Sequence, residues 1–308
     1  MLRDMIERLS FCLKISPPSW KVAERWGDLH FARALGRALA CRGHTYRVQV
    51  REEWDNPAGL DFDVALHLRG RAPYTAKPGQ LNVMWLVSHP NDVSRAELER
   101  CDLVLVASPS HASTLTNLGL VSVTVLEQAT DPALFHPEPD PDLAHELAFV
   151  GNSRNVRRKI ISDVLPTDRD LAIWGSGWKG IVDRRHLVGR YFPNERLRQV
   201  YSSAGLVLCD HWDDMREHGF VSNRIYDALA CGAVVVSDRV PGIERFVDAV
   251  ATYDGRDELH ALIDLLLADR DALRERGERG REIVLHEHTF SHRVEALLQA
   301  IAPLLASR

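Results

Sequence analysis

The sequence predicts an α/β protein with two doubly wound parallel sheets, and three observations predict it. Short apolar runs alternate with helix-patterned segments through the first half. A proline-rich break follows near the middle. A second series of apolar runs and amphipathic segments then completes the chain. Short apolar strands separated by helices are the pattern of parallel sheets covered on both faces.

In the first series, strands are expected at Phe11 to Ile15, Tyr46 to Val50, Phe62 to Leu68, Leu81 to Val87 and Leu103 to Ala107. Between the first two lies a helix over Asp28 to Arg42. Its Leu29, Ala32, Leu35, Leu39 and Ala40 share one face, and Gly43 closes it. The break runs from Asp131 to Glu146. Pro132, Pro137, Pro139 and Pro141 there prevent regular structure, which marks an interdomain linker. The second series places strands at Leu147 to Val150, Leu171 to Trp174, Leu206 to Cys209 and Ala233 to Ser237. Helical segments follow over Asp257 to Ala268, through the charged run DRDALRERGERGREIV, and over Ser291 to Leu305. Two domains and a terminal helix are therefore expected: 1–140, 141–290 and 291–308.

The 308 residues are 45% hydrophobic and 26% charged, enough apolar content for real cores. Net charge is −5, with 15 basic and 17 acidic residues up to Asp140. Neither half is strongly basic, so nucleic-acid binding has little electrostatic support. A local basic face could still make peripheral contact with an anionic membrane. The five cysteines are scattered without a C-x-x-C pair, and read as buried free thiols in a reducing compartment. No apolar run spans a membrane. The opening MLRDMIERLSFC reads as a small amphipathic helix, not a signal peptide, so cytoplasmic residence is expected. Nothing in the sequence speaks to oligomeric state.

In doubly wound sheets ligands bind beyond the carboxyl ends of the strands, so the loops there carry the site. The richest stretch is EHGFVSNRIYDALACGAVVVSD, Glu217 to Asp238. Ser222 has the hydroxyl of a good N-cap, and Gly232 suits the left-handed position after a helix. The start of that helix combines free backbone N–H groups with the positive dipole end, an anion site. Asn223 and Arg224 add side-chain donors, and Asp227 offers a carboxylate to sugar hydroxyls. That set suits a nucleotide diphosphate carrying a sugar. The irregular loop Asp210 to Val221 ahead of it holds Trp, His, Asp, Arg and Glu.

Other strand-end loops extend the site. Gly151-Asn152-Ser153-Arg154 opens a cationic cluster through Arg157, Arg158 and Lys159 suited to a diphosphate. Gly175 and Gly177, flanked by Trp174 and Trp178, permit close backbone approach, with the indoles packing structurally. Gly27-Asp28 follows the first strand, as a ligand contact or a helix cap. His89 and Asp92 follow the strand NVMWLV and are candidate acid/base residues. Asp61-Phe62-Asp63 opens a predicted strand and is a poor metal site. His286, His288 and His292 lack metal-ligand spacing and read as helix entry. No metal site and no cofactor is expected.

The chain resembles glycosyltransferases of the GT-B fold, most closely the bacterial branch related to spore-maturation-type glycosyltransferases. The segments WGDLHFARALGRALACRGH, NVMWLVSHPNDVS, LVLVAS, EQATDPALFHP, LAFVGNSRNVRRKI, LAIWGSGWKG, the long block YFPNERLRQVYSSAGLVLCDHWDDMREHGFVSNRIYDALACGAVVVSD and HTFSHRVEALLQ carry the resemblance. It implies two Rossmann-like domains facing each other across a cleft, the first on the acceptor side and the second on the nucleotide-sugar side. The final helix would pack back on the first. It implies a metal-independent glycosyltransferase, of the hexosyltransferase class, with a UDP- or GDP-type donor. The acceptor would be a glycan, a lipid-linked glycan, a protein or a small molecule.

By the same resemblance Asn152 and Arg154 would lie at the diphosphate, where Arg158 is expected from the cationic cluster, and Gly175 and Gly177 along the nucleotide. Gly27 joins the donor site. Gly219, Phe220, Val221, Ser222 and Asn223 would present backbone donors, with Arg224 beside them and Asp227 on the ribose. His89 falls near the transferred sugar, with Asp92 beside it. The large retaining GT-B family carries two glutamates eight positions apart. Here Asp227 takes the place of one, and eight positions before it stands Gly219, with Glu217 the nearest acid. This departure leaves Glu217's role and the stereochemistry open. A nucleotide-sugar epimerase of the same fold, or a non-catalytic nucleotide-sugar binding protein, are the alternatives.

Overall fold

A computed structural model of the chain describes residues 8–57, 61–120 and 122–308. The helix expected at the start of the chain lies mostly outside the described residues. Two compact units result. The first comprises 1–128, 212–220 and 290–308, the second 129–211 and 221–289. The proline-rich segment 131–146 thus lies wholly within the second unit, where Phe135 joins the core and the Asp140 side chain caps a short 3-10 turn at Pro141–Leu143.

The first unit carries six parallel strands: β1 Ser10–Lys14, β2 Thr45–Gln49, β3 Val64–Arg69, β4 Leu81–Leu86, β5 Leu103–Val106 and β6 Val123–Val125. Their order is β2-β1-β3-β4-β5-β6. The second carries β7 Leu147–Val150, β8 Leu171–Trp174, β9 Leu187–Gly189, β10 Leu206–Cys209, β11 Val235–Asp238 and β12 Val250–Tyr253, in the order β12-β11-β10-β7-β8-β9. The expected strands are all present. Those the sequence did not show, β6, β9 and β12, are all sheet edges. An edge strand is covered less and needs fewer apolar residues, and β6 and β9 are three residues long and largely open to solvent.

Each sheet has one reversal of strand order, between β1 and β3 in the first unit and between β7 and β10 in the second. These switch points are where an open α/β sheet leaves a crevice for ligands. The core of each unit follows from strand composition: β3, β4 and β5 are buried along their full length. The helix Gly27–Cys41 buries Leu29, Ala32, Leu35 and Leu39, the face predicted. The terminal helix Phe290–Ala306 belongs to the first unit. Phe290 meets the Phe31 ring at 4.8 Å, and Arg293 donates to the carbonyls of Glu127 and Gln128.

Two expectations are corrected. Cys12, Cys209 and Cys231 are buried free thiols, but Cys41, the last residue of the helix Gly27–Cys41, is exposed, and Cys101, just past the helix Arg95–Leu98, is half-buried. The loop Asp210 to Val221 is not irregular throughout: Asp213–Glu217 forms a short helix. Asp213 and Asp214 favour its N-terminal turn. Asp63 is structural, its carboxylate accepting both the backbone N–H and the hydroxyl of Ser10 at 2.7 Å. His288 caps a helix and packs against the rings of Tyr226 and Phe246. No helix among the described residues is long and apolar enough to cross a membrane.

Candidate functional site

In the second unit the turns after β7 and β8 are laced together. Gly151 N–H donates to Trp174 O at 2.8 Å, and Ser153 N–H to Ser176 O at 3.0 Å. The Trp178 indole donates to Gly151 O at 2.8 Å, and Asn152 Oδ1 accepts from the backbone and hydroxyl of Ser176. Glycine is obligatory at position 175: φ is +143°, and a Cβ there would stand 2.1 Å from Gly151 O. At Gly177, φ is +82° and a Cβ would meet Ser153 Oγ at 2.8 Å. Arg154 and Asn155 adopt left-handed φ of 55° and 62° without being glycine, local strain of the kind concentrated at ligand sites. Asn152 and Arg154 are exposed at the rim.

The helix Asn223–Ala230 starts nearby, with Ser222 as N-cap, though its hydroxyl makes no capping bond. A buried histidine fixes this end instead. His211 Nε2 accepts the Ser222 N–H at 2.9 Å, and its Nδ1 lies 2.7 Å from Asp238 Oδ1. Those roles put the ring proton on Nδ1. The Phe220 N–H is given to Met215 O. The backbone donors left at the helix start are therefore those of Asn223 and Arg224, which have no intrahelical acceptor.

Arg224 projects from this end. Its guanidinium lies over the Phe149 ring at 5.1 Å, and Nη1 is 3.5 Å from Cys209 Sγ. A Cβ on Gly151 would come within 2.9 Å of Nη2, so the cation stands directly over the turn after β7. No carboxylate among the described residues pairs with it. The other cations differ. Arg158 is buried and grips Asp210, Nε to Oδ2 at 3.1 Å and Nη2 to the carbonyl at 3.1 Å, with Nη2 also on Oδ1. Lys159 pairs with Asp163 at 2.5 Å. Half of the predicted cationic cluster is thus tied to carboxylates, and Arg154 and Arg157 are exposed.

Asp227 is buried on the same helix. Thr130 Oγ1 donates to its Oδ1 and Asn223 Nδ2 to its Oδ2, both at 2.8 Å. Burial, with the neighbouring Asp131 adding to it, pushes the carboxyl up from 3.8 to about 8, against the pull of those donors. Between about pH 4 and pH 8 the unfolded chain has released this proton and the folded chain holds it. Stability from this group is therefore full below pH 4 and is lost as pH rises towards 8. Asp227→Asn is expected to flatten that slope and raise the urea midpoint at pH 8. An unchanged pH profile of the midpoint would refute the assignment.

In the first unit, His89 follows β4 in a left-handed conformation, φ 53°, ahead of Pro90. Arg69 braces this loop: Nη2 donates to Asp92 O at 2.8 Å while Nε binds Glu97 Oε1 at 2.7 Å. His89 Nδ1 is 3.6 Å from Asp214 Oδ2, and its ring is 6.3 Å from that of Trp212. The Asp92 side chain is exposed, and its N–H is given to His89 O. Gly27 opens the helix after β1, and a Cβ there would meet nothing within 4 Å, so the position does not require glycine.

The predicted block 219–224 divides. Gly219 and Phe220 belong to the first unit, where Phe220 is a core residue with Met84, Leu86 and Val106. Glu217 is an exposed residue of the same segment. Val221, Ser222, Asn223, Arg224 and Asp227 belong to the second, with the Val221 side chain in its core. The structure therefore brings together Asn152, Gly175, Gly177 and Arg224. Asp210, His211, Asp238 and Thr130 were not singled out by sequence. Their one signal was position at strand ends, for Asp210, His211 and Asp238. Among the described residues no group of three or more His, Cys, Asp or Glu is arranged to hold a metal ion.

Residues 154–299 match the family model described as glycosyl transferase-like. Over 123 residues the chain is 29% identical to alpha-maltose-1-phosphate synthase of Mycolicibacterium smegmatis, an alignment spanning 36% of this chain and 30% of that protein's length. Among solved structures, sucrose-phosphate synthase from Thermosynechococcus elongatus superposes with a TM-score of 0.71 at 16% identity, covering 98% of this chain and all of that one. An alpha-glucosyltransferase in complex with UDP and a 13-mer DNA gives 0.72 at 11%, covering 96% of this chain and all of that one. AviGT4, a glycosyltransferase involved in avilamycin A biosynthesis, gives 0.66 at 18%, covering 97% and 99%. The fold is that of the GT-B glycosyltransferases, and the glycosyl transferase-like family model matches a little under half of the chain, within its second half.

Proposed function

We propose that the chain transfers a hexose from a nucleotide-diphosphate donor, of UDP or GDP type, to an acceptor, with protein cations in place of a metal ion. The observation that carries this reading is Arg224. It is a guanidinium that no carboxylate among the described residues pairs with, at a helix start, over the turn after β7 and at the second sheet's switch point. A departing diphosphate gains negative charge as the glycosidic bond breaks. Fixed donors aimed at that charge stabilise the transition state more than the ground state. Arg224, the N–H groups of Asn223 and Arg224, and the exposed Arg154 are those donors. Asp227 would take the ribose hydroxyls, and the glycines at 175 and 177 would let the nucleotide lie against backbone.

The relatives support the donor class: one structural neighbour is named as a UDP complex, and two relatives are named as synthases of sugar phosphates. His89 is our candidate for acceptor activation, with Asp92 as its exposed neighbour. Its strained backbone is held by the Arg69 brace, a cost kept where position matters. Cytoplasmic residence belongs to the same reading, since all five cysteines are free.

The test is a melting screen with UDP, GDP and other nucleoside diphosphates, followed by NMR of products from the stabilising donor. One nucleotide at a hundredfold excess over its Kd should stabilise by about 2.7 kcal/mol. Sugar should then appear on an added acceptor or water. Conversion of donor to a new sugar nucleotide without acceptor would instead identify an epimerase. Binding without any product would identify a non-catalytic protein.

A further inference from the structure

The first unit holds two buried cations on its sheet, and they are treated differently. Arg69, 1% exposed, is fully met by Glu97 and by the carbonyls of Gly70 and Asp92. Lys14, 0% exposed, has no carboxylate partner among the described residues. Its ammonium donates to Gln49 Oε1 at 2.8 Å and lies 4.8 Å from the centre of the Tyr74 ring. The one carboxylate that acts on it, Asp55, does so weakly and is already paired with Lys77 at 2.7 Å. Burial lowers the Lys14 pKa against the pull of the Cys12 side chain, and Lys77 adds to the lowering. A buried ammonium met only by a neutral amide, a thiol and a ring face is costly unless something else answers the charge.

The groups around it are mostly donors that lack acceptors. Lys14 stands in register with Gln49 of β2 and His67 of β3, so the three side chains share one face of the sheet. Gln49 Oε1 is taken by Lys14 and by the Cys12 thiol, which leaves Gln49 Nε2 without a partner. Turning that amide round would set its NH₂ against the ammonium, so the orientation is fixed. Both His67 nitrogens and the Tyr74 hydroxyl are also buried without a partner, although the Ala72 backbone approaches the His67 ring. Burial and the Arg69 charge hold His67 neutral, its pKa down at about 3. Trp54 closes the group, its ring 5.4 Å from His67 and 5.6 Å from Tyr74. Native proteins rarely leave so many buried polar atoms unanswered together.

Position adds an independent argument. Lys14 ends β1 and His67 lies near the end of β3, the two strands that flank the first sheet's switch point. Sheets of this order bind phosphate-bearing ligands at the carboxyl ends of those strands. We propose that Lys14, Gln49, His67 and Tyr74 form an oxyanion-binding site in the first unit, taking a carboxylate or phosphate group of a small ligand. Tyr74 is the partly exposed member. The arriving anion takes the place of its ring over the ammonium, exchanging a cation–π contact for an ion pair. That the ligand is the acceptor of sugar transfer rests on the function proposed above, while the anion site itself does not.

The experiment is calorimetric titration of the full chain with inorganic phosphate and, separately, acetate, in Arg224→Ala so that the second unit's cation is absent. Saturable binding of one of the two is expected, and which one distinguishes a phosphate from a carboxylate ligand. Adding Lys14→Met should weaken it at least tenfold. His67→Phe keeps a ring of similar shape, removes nitrogens that have no partner in the fold, and should weaken it several-fold. That variant carries the test if Lys14→Met does not fold. Absence of binding for both anions, or affinity in both His67→Phe and Lys14→Met unchanged from the Arg224→Ala parent, would overturn the site. A higher melting temperature in Lys14→Met with anion binding unaltered would identify Lys14 as a merely tolerated buried cation. Failure of nucleotide binding in the wild type would remove the transferase reading and leave this result standing.

Discussion

Arg224→Ala is expected to lower affinity for UDP or GDP, and for the matching sugar donor, by about ten- to a hundredfold. A hydrogen bond from a charged group is worth about 1.5–3 kcal/mol, and each 1.4 kcal/mol is a factor of ten. The residue has no carboxylate to strand, and inside the fold its guanidinium packs against Phe149 and Cys209. The fold should therefore survive, with the melting temperature of the free protein little changed. Turnover should fall further than binding, because the diphosphate gains charge as it leaves. Calorimetry on wild type and variant measures the first effect directly. Equal affinity for every nucleoside diphosphate would remove Arg224 from the donor site.

Arg158→Ala is expected to act on the fold instead. The pair Arg158–Asp210 is buried on both sides, 6% and 2% exposed, and its removal leaves Asp210 ionised without a counter-charge. Breaking such a pair costs about 3–5 kcal/mol. For a unit of this size that lowers the melting temperature by on the order of 10 °C. The double variant Arg158→Met with Asp210→Leu should recover much of the loss, since a buried ion pair contributes little over a well-packed apolar one. A melting temperature within 1–2 °C of wild type for Arg158→Ala, on the same scale of about 2–4 °C per kcal/mol, would show that the pair carries no structural role. A stable Arg158→Ala with lost nucleotide affinity would return Arg158 to the donor-binding set.

These two arginines show what a sequence reports and what it withholds. Both stand in polar segments at strand ends, and both carry the same charge. What separates them is Asp210, 52 positions from Arg158 in the chain and in contact only through the pairing of β7 with β10. The same holds for the clamp on the helix start, where His211 and Asp238 are 27 positions apart. Strand runs such as LVLV and LAFV are legible because burial on both faces demands continuous apolar residues. Edge strands make no such demand, which is why the short and exposed β6 and β9 were silent. Lys14 was hidden for a related reason: within SFCLK a single cation at a strand end reads as an exposed terminus, and only β2 and β3 on either side bury it. The glycines at 175 and 177 were legible as close-approach positions, whereas the histidine that answers the Ser222 N–H was not. The block 219–224 read as one donor-presenting set, yet its first two residues pack with the first unit because the 213–217 helix carries them there.

A crystal structure of the chain with UDP or GDP bound tests the central claim most directly. The account predicts diphosphate oxygens within hydrogen-bonding distance of the Arg224 guanidinium and of the Asn223 and Arg224 backbone N–H groups, next to Gly151 and Gly175. A nucleotide bound with its diphosphate elsewhere, and Arg224 still folded onto Phe149 and Cys209, would contradict it.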